Sequence, residues 1–481
     1  MPTSFDQPRK ISTGLPLIST GVNGFDTILG GGLPKGGLYL VQGLAGSGKT
    51  TLAGQIGFHH AGQGGKVILL TLIAESHGKL LNHLSNYSFY DENLLGSRIF
   101  LFSGYHHLTK KSLSELMSFI TSTLAEHQPD MLIIDGFRSV RETGTSSSAL
   151  SEFMHTLNSL GTTMGCTTLL LSPVEGNQPE SENTLVDGLI ELGQFEKGMR
   201  IVREIQIYKI RGGKHFLGKH MFDIRANGIN IHPRLEALTS NSGLTIGASD
   251  KCSGFGIAGW DELIGGGIEV GSTSNMIGHP GTGKTLMGLN YLYQGLREGQ
   301  QCLMLGFYES VSRLVLKAKA IGLDLQPALD SGQLGILWLP PLEFLMDELA
   351  GRVLEDIDRR GVTRLFVDGI EGFEAIAIYP ERVSSFLLAL VSELRARNVT
   401  SIFTQELSYF PEVSRSKSLP TSALYENIFL LKNREIGEKH YRQICVMKLR
   451  EHGYDASNRI LEISDSGLRL GGLVSSIDKH N

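Results

Sequence analysis

The sequence predicts an α/β protein of two tandem units, each a mostly parallel sheet flanked by helices. Three observations carry this. Short apolar runs of strand length alternate with stretches of helical spacing. One such run leads into Gly43-Leu-Ala-Gly-Ser-Gly-Lys-Thr50, whose G-x-x-x-x-G-K-T spacing is that of a phosphate-cradling loop between a strand and a helix. The chain of 481 residues then spells the pattern again as Gly278-His-Pro-Gly-Thr-Gly-Lys-Thr285, at an offset of 235 positions.

Residues 1–17 read as a polar, flexible arm with three prolines. The first unit, 18–238, opens with Ser19-Thr-Gly-Val-Asn-Gly-Phe-Asp26. The second, 251–470, opens with Gly254-Phe-Gly-Ile-Ala-Gly-Trp-Asp261, and from Gly24 to Gly48 each counterpart lies 235 positions further on. A duplicated unit explains this. Leu38 to Val41 is the strand entering the first loop, and Thr50 to Ala61 has helical spacing. Lys66 to Leu72, Met131 to Asp135 and Thr168 to Ser172 are apolar runs suited to buried parallel strands. Ser274 to Ile277, Cys302 to Phe307, Leu365 to Asp368 and Ser401 to Gln405 match them in the second unit. The small, polar stretch 239–250 reads as a linker, and 471–481 as a short tail.

Composition narrows the function classes. Hydrophobic residues make up 41% and charged residues 19%, ordinary for a globular protein, and the net charge is −5. No global basic field gathers nucleic acid or coats an anionic membrane. The four cysteines, Cys166, Cys252, Cys302 and Cys445, are scattered without metal-ligand spacing. No apolar stretch is long enough to span a membrane, and the first residues lack a secretory leader's apolar core, so a cytoplasmic protein is expected.

In such loops the glycines let backbone N–H groups converge on phosphate oxygens, and the following helix adds its positive end. The candidate ATP contacts are Gly43, Ala45, Gly46, Ser47, Gly48, Lys49, Thr50 and Thr51, with Gly278, Pro280, Gly281, Thr282, Gly283, Lys284, Thr285 and Leu286 in the second unit. Lys49 and Lys284 would reach the β and γ oxygens, and the Thr50 and Thr285 hydroxyls would hold Mg2+. Asp135 and Asp368 each end an apolar run, where a carboxylate orients the water shell of Mg2+; a helix cap or a solvated strand end is the competing reading.

The openings, the paired loops, Lys209-Ile-Arg-Gly-Gly-Lys-His215 and Gly228-Ile-Asn-Ile-His-Pro233 resemble the KaiC family, tandem RecA-type ATPases named for a circadian clock protein. The resemblance runs from about residue 12 to 470. It implies two RecA-like P-loop domains, a homohexameric double ring, ATP with Mg2+ between neighbouring subunits, slow hydrolysis, and a signalling role with an unidentified protein partner. It also implies that Lys209, Arg211 and His215 reach into the neighbour's ATP, as do Lys448 and Arg450 in the second unit.

The departures from the family bear on turnover. Two consecutive glutamates follow the second strand of each unit in the family, where this chain has Ala74-Glu75 and Tyr308-Glu309. Glu75 and Glu309 are the candidate general bases; a solvated residue beside the helix caps Ser76 and Ser310 is the plainer reading. Leu217 stands where the family has a lysine, and Glu451 where glycine is usual. The family's Ser-Thr phospho-acceptor pair falls on Ser422-Ala423, leaving Ser422 as the candidate phosphosite. The readings are therefore a slow ATPase, an ATP-holding scaffold with little turnover, a serine/threonine autokinase, and a recombinase-like DNA-dependent ATPase. The acidic charge and the lack of a basic, aromatic-rich stretch argue against the last.

Overall fold

The structure, a computed structural model, describes residues 16–73, 77–110, 112–143, 147–174, 182–242, 250–407, 424–436, 439–450 and 453–474. Residues 1–15 of the expected arm, 243–249 of the expected linker, 475–481 of the expected tail, Glu75 and Ser422 lie outside these. The chain divides into two compact units, one ending at Ala237 and the other beginning at Leu238. A helix, Leu235–Ser242, runs through 239–242, into the stretch expected to be linker, and buried Leu235 anchors it. The last strand, Gly467–Leu473, likewise continues past residue 470, paired with its neighbour.

Among the described residues, each unit is built on a nine-stranded sheet. In the first, β1 (Leu38–Gly43), β2 (Val67–Thr71), β3 (Ile99–Ser103), β4 (Met131–Asp135), β5 (Thr167–Ser172) and β6 (Gly188–Lys197) are parallel. The strands β7 (Arg200–Ile210), β8 (Lys219–Arg225) and β9 (Gly228–His232) extend the β6 edge antiparallel, giving the order 9-8-7-6-1-5-4-2-3. The second unit repeats the order with β10 (Thr273–Gly278), β11 (Cys302–Gly306), β12 (Leu334–Trp338), β13 (Arg364–Asp368), β14 (Thr400–Glu406), β15 (Asn427–Ile436), β16 (Lys439–Lys448), β17 (Arg459–Ser464) and β18 (Gly467–Leu473).

The apolar runs are unbroken because both sheet faces are covered. Tyr39, Val41, Val67, Leu69, Met131 and Ile133 join one core with α1 (Lys49–Gly62). Their alternates Leu38, Leu40, Ile68, Leu70, Leu132 and Ile134 join the other, against α2 (Leu113–His127) and α3 (Ser147–Met164). The repeated opening is structural. Asp26 accepts hydrogen bonds from Thr20 N (2.9 Å), Thr20 Oγ1 and Ser19 Oγ (both 2.6 Å), and Asp261 from the backbone N–H groups of Phe255 and Gly256 (both 2.7 Å). These carboxylates staple the entry turn of each unit.

Candidate functional site

Each phosphate loop leaves the end of the central strand, β1 or β10, and turns into a helix, α1 or α4 (Lys284–Arg297). The turn uses backbone that only glycine adopts readily: Gly48 has φ 103° and Gly283 φ 101°, and each caps its helix. Space is short as well. A Cβ on Gly48 would lie 3.0 Å from Ile224 Cδ1, and one on Gly283 3.0 Å from Ile463 Cδ1.

With the loop so shaped, the lysine folds back over its lip. Lys49 Nζ donates to the carbonyls of Gly43 and Leu44, both at 2.8 Å, and Lys284 Nζ to those of Gly278 (2.7 Å) and His279 (2.9 Å). Burial lowers both ammonium pKa values. Asp135 opposes this in the first unit; Glu406, Glu371 and Asp368 oppose it in the second.

The next residue faces the strand-end carboxylate. Thr50 Oγ1 donates to Asp135 Oδ2 at 2.9 Å, and Thr285 Oγ1 to Asp368 Oδ2 at 3.0 Å. A hydroxyl and a carboxylate converging beside the loop lysine form a hard, all-oxygen donor set that fits Mg2+. Asp368 is enclosed further: Thr404 Oγ1 donates to its Oδ1 at 2.9 Å, and burial pushes the carboxyl pKa up while the two hydroxyls work against that rise. At the matching register position the first unit has Leu171.

Ser47 and Thr282 are buried, and Thr282 Oγ1 donates to His279 O at 2.8 Å. Thr51 Oγ1 lies 3.1 Å from His83 Nε2. Two contacts were missed in the sequence. Gln194 Nε2 donates to Ala45 O (3.3 Å), and Arg442 Nε to Gly281 O (3.2 Å).

The cations expected to act across an interface stand at the other end of each sheet. Lys209 pairs in register with Leu189, which pairs with Leu40, three residues before Gly43. At about 3.3 Å per residue and 4.8 Å per strand, Lys209 Cα is roughly 14 Å from its own loop. Its Nζ instead donates to Asn183 O and Thr184 O, both at 3.3 Å. Arg211 lies further off, on Thr184 O (3.0 Å) and Asp187 (3.6 Å). In the second unit Lys448 pairs with Ile428 beside Asn275, three residues before Gly278, and its Nζ donates to Tyr425 O at 2.6 Å. Arg450 is exposed. Burial lowers the His215 pKa, and its Nε2 is buried with no hydrogen-bond partner among the described residues. The contacts of Lys209, Arg211 and Lys448 hold them away from their own chain's phosphate loop.

Of the two candidate bases, Glu309 is described. Its carboxylate is ion-paired with Lys317, and its charge helps raise the Asp368 pKa. Tyr308, beside it, is 62% exposed, whereas Phe307 is buried against Phe373. Two further carboxylates were missed in the sequence: Glu371, after β13, and Glu406, at the end of β14.

The KaiC ATPase family model matches residues 18–236 and again 254–473. Among known proteins, the circadian clock oscillator protein KaiC 1 of Synechocystis sp. is 26% identical over 477 residues, covering 96% of this chain and 90% of its own. The circadian clock oscillator protein KaiC of Rippkaea orientalis is 25% identical over 476 residues, covering 96% and 90%. Its namesake in Synechococcus elongatus is 24% identical over 460 residues, covering 93% and 88%. Among the described residues no helix is long and apolar enough to cross a membrane.

Proposed function

The chain belongs to the KaiC family of ATPases, and on that premise we propose that it hydrolyses ATP slowly at both phosphate loops, at the interfaces of a homohexameric double ring. The observation that carries this reading is the separation of parts within each unit. The loop, its lysine and its Thr–Asp pair lie at one end of the sheet, while Lys209 and Arg211, or Lys448 and Arg450, lie at the other. Cations that stabilise charge developing on the γ-phosphate then come from a neighbouring copy. Burying ATP between copies links assembly to nucleotide by mass action.

In this reading the backbone N–H groups of Gly43 to Thr50 and Gly278 to Thr285 bind the β and γ phosphates, with Ala45, Pro280, Thr51 and Leu286 completing the loop contacts. Lys49 and Lys284 leave their carbonyls for phosphate oxygens. Thr50 with Asp135, and Thr285 with Asp368, hold Mg2+, which when bound neutralises charge on the β and γ oxygens. Glu75 is the base of the first unit, and His215 faces the neighbour's nucleotide. Nucleotide state changes ring conformation, and the protein signals to a protein partner in the cytoplasm.

A second reading, an ATP-holding scaffold with little turnover, is favoured by the Glu309–Lys317 pair, which commits that carboxylate elsewhere. The test is steady-state phosphate release. Wild type should release phosphate slowly, and Lys49→Ala and Lys284→Ala should each remove part of it. No release above buffer would leave the scaffold reading.

A further inference from the structure

The two phosphate loops are alike, but what faces them is not. Three positions past the strand-end aspartate, the first unit has Arg138 and the second Glu371. At the end of the strand beside the central one, Pro173 follows Ser172 in the first unit, where the second has Glu406 after Gln405. Arg138 is drawn into an ion pair with Glu142 on its own helix. Glu371 is anchored differently: its Oε1 accepts the backbone N–H of Glu406 at 2.6 Å.

That anchor locates the carboxylate. Glu406 is the register partner of Gly278, the first loop residue. The carbonyl of Gly278 accepts both the Leu407 N–H (3.0 Å) and the Lys284 ammonium (2.7 Å). The strand end that fixes Glu371 is therefore hydrogen-bonded to the carbonyl on which the phosphate-binding lysine rests. The other oxygen, Oε2, faces Gly369 beside Tyr308: a Cβ on Gly369 would lie 3.4 Å from Oε2 and 3.5 Å from Tyr308 Cε2. Tyr308 occupies the position of the family's first glutamate, and Glu309 is paired with Lys317. A fixed carboxylate beside the phosphate lysine thus stands on the side where the family's own carboxylate is missing.

We propose that Glu371 is the general base of the second ATP site. The proposal rests on hydrolysis occurring there. A water proton passes to the Glu371 carboxylate as the water oxygen bonds to the γ-phosphorus. The bond from that phosphorus to the β–γ bridging oxygen breaks, its electron pair stays on ADP, and the proton then leaves Glu371 for solvent. Burial raises the carboxyl pKa, the Glu406 amide opposes this, and Glu374 and Glu406 add to the rise. A base so shifted accepts a proton more readily near neutral pH.

The experiment uses the full chain with ATP and Mg2+. Phosphate release is compared in wild type, Lys284→Ala, Glu371→Gln and Glu371→Asp, alongside labelled ATP bound per chain and the melting temperature. The difference between wild type and Lys284→Ala defines the second site's share. Glu371→Gln should remove that share by about 100-fold or more while still binding two ATP per chain, since a base contributes 10²–10⁴ to rate. Glu371→Asp should recover part of it. A full second-site share in Glu371→Gln overturns the assignment. Equal release by wild type and Lys284→Ala overturns the underlying hydrolysis at that site, and the proposal with it.

Discussion

Lys49→Ala removes the one charged side chain of the first phosphate loop. The ammonium is half-buried and bonded to two carbonyls at 2.8 Å, so part of its dehydration precedes nucleotide binding. In the proposed binding mode it exchanges carbonyl oxygens for phosphate oxygens. Replacing a neutral oxygen by a charged one strengthens each bond by about 1.5 kcal/mol, so two exchanged contacts give roughly 3 kcal/mol, or about 100-fold in dissociation constant. Titration calorimetry with ATP and Mg2+ should show two sites per wild-type chain. In the variant one site should keep its affinity and the other weaken by that factor, with assembly requiring more nucleotide. Two sites of unchanged affinity, or a variant fully assembled without nucleotide, would refute the reasoning.

Three further outcomes follow from particular contacts. Gly283→Ala would force a Cβ into φ 101° and to 3.0 Å from Ile463 Cδ1, a strain of about 2 kcal/mol; labelled ATP should be lost from the second site alone. Arg364 is buried, with its guanidinium on Gly254 O (2.7 Å), Tyr291 O (3.0 Å) and Glu298 (2.6 Å). Arg364→Met should destabilise the second unit by about 3 kcal/mol in chemical denaturation, because two backbone carbonyls lose their donor; an unchanged midpoint contradicts this. Lys49 and Lys284 have lowered pKa values, chiefly from burial, and phosphate favours their charged forms. ATP binding should therefore take up protons as pH rises through the lowered lysine values, seen as buffer-dependent heats in calorimetry; heats independent of buffer would contradict it.

Much of the fold was legible in the sequence because both sheet faces are covered. Val67 to Leu70 and Met131 to Ile134 stay apolar at every position, and two glycine-rich loops mark where the central strands end. The antiparallel edge was less legible. In β7, Arg200 to Ile210 mixes charges with apolar residues because one face packs while the other is solvated. At the site, Lys49, Thr50 and Asp135 follow from spacing, since a loop and a strand end fix them locally. Glu371 and Glu406 are 35 residues apart and meet only through strand register. The Glu309–Lys317 pair depends on one helical turn facing back on the loop before it. One signal was available: aligning the residues after Asp135 and Asp368 sets Arg138 against Glu371 and exposes the asymmetry of the two sites.

The most direct test of sites completed by a neighbouring copy is subunit mixing. In a Lys284→Ala background, chains carrying Lys49→Ala are mixed with chains carrying Lys209→Ala and Arg211→Ala, and phosphate release is followed. Each population alone should be inactive. Random mixing in equal amounts should restore roughly one quarter of the release of the Lys284→Ala parent, the fraction of interfaces pairing an intact loop with intact cations around a closed ring. A mixture as silent as its parts, or full release by the Lys209→Ala/Arg211→Ala chains alone, would contradict the account.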